Sequence, residues 1–150
     1  MTDSTSKART TSGLTHVRAD GTAHMVDISA KEVTARRAAA SGMVLLSAAA
    51  VAALRGGAVP KGDALGVARV AGIQAVKRTP DLLPLAHPVV VHAVEVDLDV
   101  VDEGVRISAV VRTADRTGIE MEALTAVSVA ALALVDMVKA VDKHARITDI

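Results

Sequence analysis

A chain of 150 residues in which Lys+Arg 17 balances Asp+Glu 17 has no global basic footprint for nucleic acid. It contains no Cys, Phe, Tyr or Trp, which excludes disulfides, thiolate metal sites and aromatic stacking by its own side chains on a ligand ring. With 51% of residues apolar, the core must be Ala, Val, Leu, Ile and Met, and burial at about 25 cal/mol per Å² of such small groups makes oligomerisation attractive.

The first 13 residues are polar and Ser/Thr-rich and are expected to be disordered, leaving one domain over residues 14–150. They carry no apolar stretch of a secretory signal, so a cytoplasmic location is the default expectation. Leu14–Val17 and His24–Ser29 flank a turn at Ala19-Asp20-Gly21. Val33–Leu46 reads either as a helix broken at Gly42 or as a long strand with a bulge, and its flanking β-branched residues favour the strand. Ser47 is an N-cap for a short helix stopped by Gly56-Gly57. Pro60–Asp63 leads into a second helix with Asp63 in its first turn, Lys77 and Arg78 in its last, and Pro80 closing it. Gly66 and Gly72 cost that helix about 1 kcal/mol each in propensity and mark places where another backbone packs close.

The segment Pro80–Pro88 holds three of the four prolines and reads as a stiff extended loop carrying His87. Val90–Val100 then alternates, with Glu95, Asp97 and Asp99 on the solvated face. Val101–Gly104 is a hairpin turn, and Val105–Thr113 returns with Arg106 and Arg112 available to those acids. Thr117–Lys143 predicts a long buried helix with Leu124, Val127, Ala131, Leu134 and Val138 on its inner face. Its uncharged run, Ala123–Val135, is shorter than the roughly 20 apolar residues needed to cross a bilayer. Asp136, Lys139 and Lys143 should form one stripe at its far end, and Ala145–Ile150 a last short strand. The order predicts α+β, a ferredoxin-like antiparallel or mixed sheet with helices packed on one face.

Polar residues cluster at element ends: Lys61 in a Pro-Lys-Gly-Asp loop, His87 between prolines, Glu120 and Glu122 at one end of the long helix, Asp136 and Lys139 at the other. Such a set moves protons in both directions if burial shifts its pKa values, and its lysines suit an anionic substrate. Plainer readings stand beside this one. Glu120 and Glu122 also complement a helix N-terminus, and Asp136 with Lys139 also makes an ordinary i,i+3 pair worth about 0.2–0.5 kcal/mol. A metal site from His87, Glu120, Glu122 and Asp136 has no HxxxH or HExxH spacing behind it. No Walker loop or dinucleotide fingerprint is present.

The blocks LTHV (14–17), HMVDISAK (24–31), PKGDALGVARVAGIQAVKRT (60–79), LLPLAHP (82–88) and Thr117–Lys143 resemble the MoaC family of molybdenum cofactor biosynthesis, and the resemblance runs from Leu14 to Ile150. It implies a lyase, a cyclic pyranopterin monophosphate synthase, that converts a cyclised dihydro-GTP derivative into cyclic pyranopterin monophosphate and diphosphate. It implies a ferredoxin-like fold and a homohexamer, a trimer of dimers, with the site at a subunit interface. No cofactor, nucleic acid or membrane is implied; a role for Mg²⁺ is left open. Residue by residue, it makes Asp136, Lys139 and Lys61 catalytic. It makes Leu85, Ala86, His87, Met121 and Glu122 substrate-binding, and adds Glu120, Lys31, Arg36 and Lys77 as polar residues of the pocket. In that reading the lysines hold phosphates and shuttle protons, and Asp136 orients or deprotonates. His87 and Glu122 bind the base-derived ring and ribose. Ala86, Val135 and Val138 depart from the Cys, Tyr and Cys usual in the family, and members commonly continue beyond this point into a basic, Gly-rich tail. A catalytically weak paralogue that binds pterin or nucleotide, and a non-enzymatic oligomerisation module, are the competing expectations.

Overall fold

The computed structural model describes residues 15–150; the expectation of disorder over residues 1–13 lies outside them. In chain order the elements are β1 (Thr34–Leu45), α1 (Ala48–Arg55), α2 (Ala64–Val76), α3 (Thr79–Leu82), β2 (Ala93–Val101), β3 (Gly104–Asp115), α4 (Glu120–Val138) and β4 (Arg146–Thr148). The four strands form one antiparallel sheet in the order β2-β3-β1-β4, the ferredoxin-like arrangement. The first crossover carries three helices instead of one.

β1 is a strand throughout, and its register with β3 runs from Thr34↔Asp115 to Leu45↔Gly104 without a bulge. Gly42 sits in register opposite Ile107, with Val127 of α4 and Ile150 occupying the space where a Cβ would stand. The β2–β3 hairpin turns at Asp102-Glu103, and Gly104 closes it with φ 147, a conformation that L side chains rarely adopt. Glu95, Asp97 and Asp99 lie on the exposed face, while Val96 and Leu98 point into the core. Arg112 pairs with Glu95. Arg106 sits opposite Asp99 in register, with no ion pair between them.

Ser47 caps α1 as its sequence predicts, accepting from the Ala50 amide. Asp63 is the N-cap of α2 rather than a first-turn residue, because its carboxylate accepts from the Gly66 amide and so ends the non-helical backbone at itself. That helix also stops sooner than expected: Lys77 is its C-cap and Arg78 already precedes α3. Pro80 does not end a helix but opens the single turn of α3, where a missing N–H is harmless. Gly72 marks a close backbone approach, with the Ala126 carbonyl above it, whereas Gly66 faces only the Asp63 carboxylate.

α4 packs on β1 and β3, and α2 packs on α4 and β2, so both cover one face of the sheet. Val127, Ala131, Leu134 and Val138 are buried there as predicted, but Leu124 is 38% exposed and belongs to the helix's outer side. Lys143 lies past the end of α4 and so leaves the Asp136–Lys139 stripe. At 19 residues α4 is long and apolar enough to cross a membrane by length and composition, unlike the shorter uncharged run inside it. Half of that stretch is buried against the rest of the chain, as in a core helix.

Candidate active site

α4 carries functional groups at both ends, and the rest of the fold brings different partners to each. Ile119 caps it with no side-chain hydrogen bond, so Glu120 and Glu122 in the first turn supply the negative charge that its exposed amides favour. Beside them opens a cavity of about 270 Å³. Its walls are the β3–α4 junction with α4's first turn (Thr117, Gly118, Glu120, Met121, Glu122), the Leu85–His87 loop, and the segment before β1 (Thr15, His16, Val26, Ile28, Lys31).

His87 is fixed in this wall. Its Nε2 donates to the Val26 carbonyl at 2.6 Å, since a carbonyl can only accept, and Nδ1 has no hydrogen-bond partner among the described residues. Arg116 Nε donates to the Lys31 carbonyl at 2.9 Å and pins the same segment to the β3–α4 junction. Glu122 is 3% exposed. Burial first, and then the charge of Glu120, push its carboxyl above the ordinary value, with its own backbone N–H pulling the other way. Asp27 is held low by the Ser29 N–H and hydroxyl, with His87 adding its charge.

At the other end of α4 the carboxylate of Asp136 is shared between two ammonium groups. Its Oδ1 accepts from Lys139 Nζ at 2.7 Å and its Oδ2 from Lys61 Nζ at 2.8 Å. Lys139 first, then Lys61, hold the Asp136 carboxyl at about 2. Lys61 reaches it because the Pro60–Asp63 loop between α1 and α2 ends against α4, turning through Gly62 at φ 99.

The candidate residues therefore fall into two groups. Leu85, Ala86, His87, Met121, Glu122, Glu120 and Lys31 share the cavity; Lys61, Asp136 and Lys139 make the triad. Fourteen residues of helix separate Glu122 from Asp136, about 21 Å at 1.5 Å per residue. Arg36 stands at the outer end of β1, donating to the Asp115 carbonyl, and Lys77 is exposed at the end of α2. Neither lines the cavity. Of the four residues in the metal reading, His87, Glu120 and Glu122 share the cavity and Asp136 does not; among the described residues no group of three or more His, Cys, Asp or Glu is arranged to hold an ion. Thr15, His16, Val26, Ile28, Thr117 and Gly118 complete the cavity, although no chemistry in the sequence singles them out. All six lie inside the blocks that carry the family resemblance, and that was the available signal.

Residues 25–150 match the MoaC family. The chain belongs to the MoaC family. It is 64% identical over 137 residues to a protein of Streptomyces coelicolor named cyclic pyranopterin monophosphate synthase, covering 91% of this chain and 81% of that one. A protein of the same name from Nocardioides sp. is 65% identical over 140 residues, covering 91% and 86%. A more distant relative from Dinoroseobacter shibae, also so named, is 56% identical over 141 residues, covering 93% and 89%.

Proposed function

We propose that this MoaC-family chain is a cyclic pyranopterin monophosphate synthase, a lyase that rearranges a cyclised dihydro-GTP derivative and releases diphosphate. The names of its relatives support the activity. The observation that carries the chemistry is the division of labour along α4: a carboxylate–lysine triad at one end and a cavity of imidazole and carboxyl groups at the other.

In this reading Lys61 and Lys139 take the triphosphate and offset the charge that gathers on the departing diphosphate. Asp136, ionised down to about 2, is too weak a base to take a proton near neutrality. Its part is to hold the two ammonium groups together until phosphate oxygens replace it. Glu122, with its carboxyl raised by burial, is better suited to exchange a proton there. His87 offers Nδ1 to the ring or ribose. No resident cofactor enters the reading, and Mg²⁺ would come only with the phosphates. It calls on no nucleic acid or membrane and puts the reaction in the cytoplasm.

One substrate cannot bridge about 21 Å of helix within a single copy, so the reading needs a second chain. The outer side of α4 supports one. Met121, Leu124 and Leu132 are exposed at helical spacing, and the Ser128 hydroxyl between them is spent on the Leu124 carbonyl. Two such helices packed antiparallel about Ser128 would set Leu124 against Leu132 and one chain's Asp136 end against the other's Glu120–Glu122 end. Burying that apolar row is what a C2 interface requires. Three such dimers would make the hexamer that the family resemblance implies.

The test is turnover by the purified chain on the cyclised dihydro-GTP derivative, following cyclic pyranopterin monophosphate and diphosphate together. Tight binding of the compound with neither product formed would replace the reading with that of a binding paralogue. No binding at all would leave an assembly module.

A further inference from the structure

We infer that Asp142 is a positioning residue for the triad: the clamp it makes between the turn after α4 and the start of α1 sets where Lys61 stands relative to Asp136 and Lys139. The inference rests on the function proposed for those three residues. Asp142 is 7% exposed, yet no Lys or Arg reaches its carboxylate among the described residues. Its two oxygens are used by backbone instead. Oδ2 accepts from the Ser47 amide at 2.6 Å and Oδ1 from the His144 amide at 2.8 Å. Charge-assisted bonds of this kind are stronger than neutral ones and hold direction well.

Capping does not account for the contact. The Ser47 hydroxyl already caps α1 by accepting from the Ala50 amide, and Asp142 accepts separately from the Ser47 N–H. The clamp joins two segments 95 positions apart in sequence. On one side the chain turns tightly after α4: the Val141 and Asp142 amides both donate to the Val138 carbonyl, and Lys139 lies inside that turn. On the other side α1 is short and seated by Ala50, Val51 and Leu54. It passes through Gly56-Gly57 to buried Val59, two residues before Lys61. Asp142 thus fixes the near end of the lever whose far end carries Lys61. Misplacement of a reacting group by about 1 Å is enough to cost a hundredfold in rate.

Asp142→Asn keeps the shape but accepts from only one of the two amides. In the folded full chain it should move the Asp136 titration midpoint, read from its carboxyl carbon by NMR, up from about 2 toward 3.8. It should lower kcat about tenfold or more, with KM rising as well because Lys61 also holds the triphosphate. Combined with Lys61→Ala it should lose no more than Lys61→Ala alone, since the clamp acts through that lysine. An Asp136 midpoint and kcat equal to wild type, or losses that simply add, overturn the inference. If the Asn variant does not fold, Asp142→Glu lengthens the clamp by one methylene; the same shifts in midpoint and kcat are expected of it, and wild-type values would again overturn the inference. The Asp136 midpoint is independent of turnover. A wild-type chain without activity would therefore sink the proposed function, while the midpoint would still decide whether the clamp places Lys61.

Discussion

Gly72 of α2 lies so close under Ala126 of α4 that a Cβ on the glycine would sit 2.9 Å from the Ala126 carbonyl oxygen and 3.1 Å from the Ala130 methyl. Backbone, unlike a side chain, cannot swing away. Gly72→Ala gains about 1 kcal/mol of helix propensity but forces the two helices apart, an overpacking cost of about 1–3 kcal/mol. The expected result is a net loss of stability, seen as a lower midpoint in urea at unchanged slope.

The Asp136 titration reports directly on the triad. Its folded-state value is depressed, so its stabilising share is complete above the ordinary 3.8 and is lost as pH falls through about 2. Lys139→Ala and Lys61→Ala should each raise the midpoint, Lys139→Ala by more, because that lysine is the larger cause. Carboxyl NMR on the two variants checks the order. Equal, unshifted midpoints would mean that the ion pairs do not persist in solution.

Glu122 has the opposite sign. Its folded-state value is raised by burial, so its share of stability is full below the ordinary 4.5 and declines as pH rises through the folded value. Glu122→Gln removes that decline. The Tm advantage of the variant over wild type should grow between acidic and alkaline buffer while turnover falls. A constant Tm difference across pH would show that Glu122 does not titrate differently in the fold.

The proposed antiparallel pairing of α4 makes a quantitative forecast. Leu132→Glu places a charge in the row and should shift the elution volume toward the monomer, abolishing turnover with the sheet intact. Glu122→Gln and Asp136→Ala are each inactive in this scheme, but they damage different copies' contributions. Dissociated, mixed equally and reassembled, they should recover about a quarter of wild-type activity, because half the dimers are mixed and each has one intact site. Recovery near zero would place the whole site within one chain.

The hairpin was legible in the sequence because Glu95, Asp97 and Asp99 alternate with residues that must be buried, and such a period has one solution. β1 was ambiguous because its Ala-rich stretch suits a helix equally; long pairing with β3, a tertiary effect, decided it. Pro80 misled because proline closes one helix and opens another by the same missing N–H. Leu124 misled because hydrophobicity does not say whether a leucine faces the core or the outer side of its helix. The triad was readable only in part: Asp136 and Lys139 follow from helical spacing, but Lys61 arrives from 75 positions away. The cavity depended on the family blocks, since nothing in composition ties Leu85–His87 to the segment before β1. The gap between the two groups was legible from chain spacing alone, as Glu122 and Asp136 are fourteen residues apart on one helix.

That spacing turns α4 into a ruler. One residue inserted between Glu122 and Asp136 would swing one group about 100° around the axis against the other and slide it 1.5 Å. In the proposed pairing, both the apolar row and the meeting of the two ends would be lost together. In the proposed pairing the chain can therefore change length in its loops but not between those two acids.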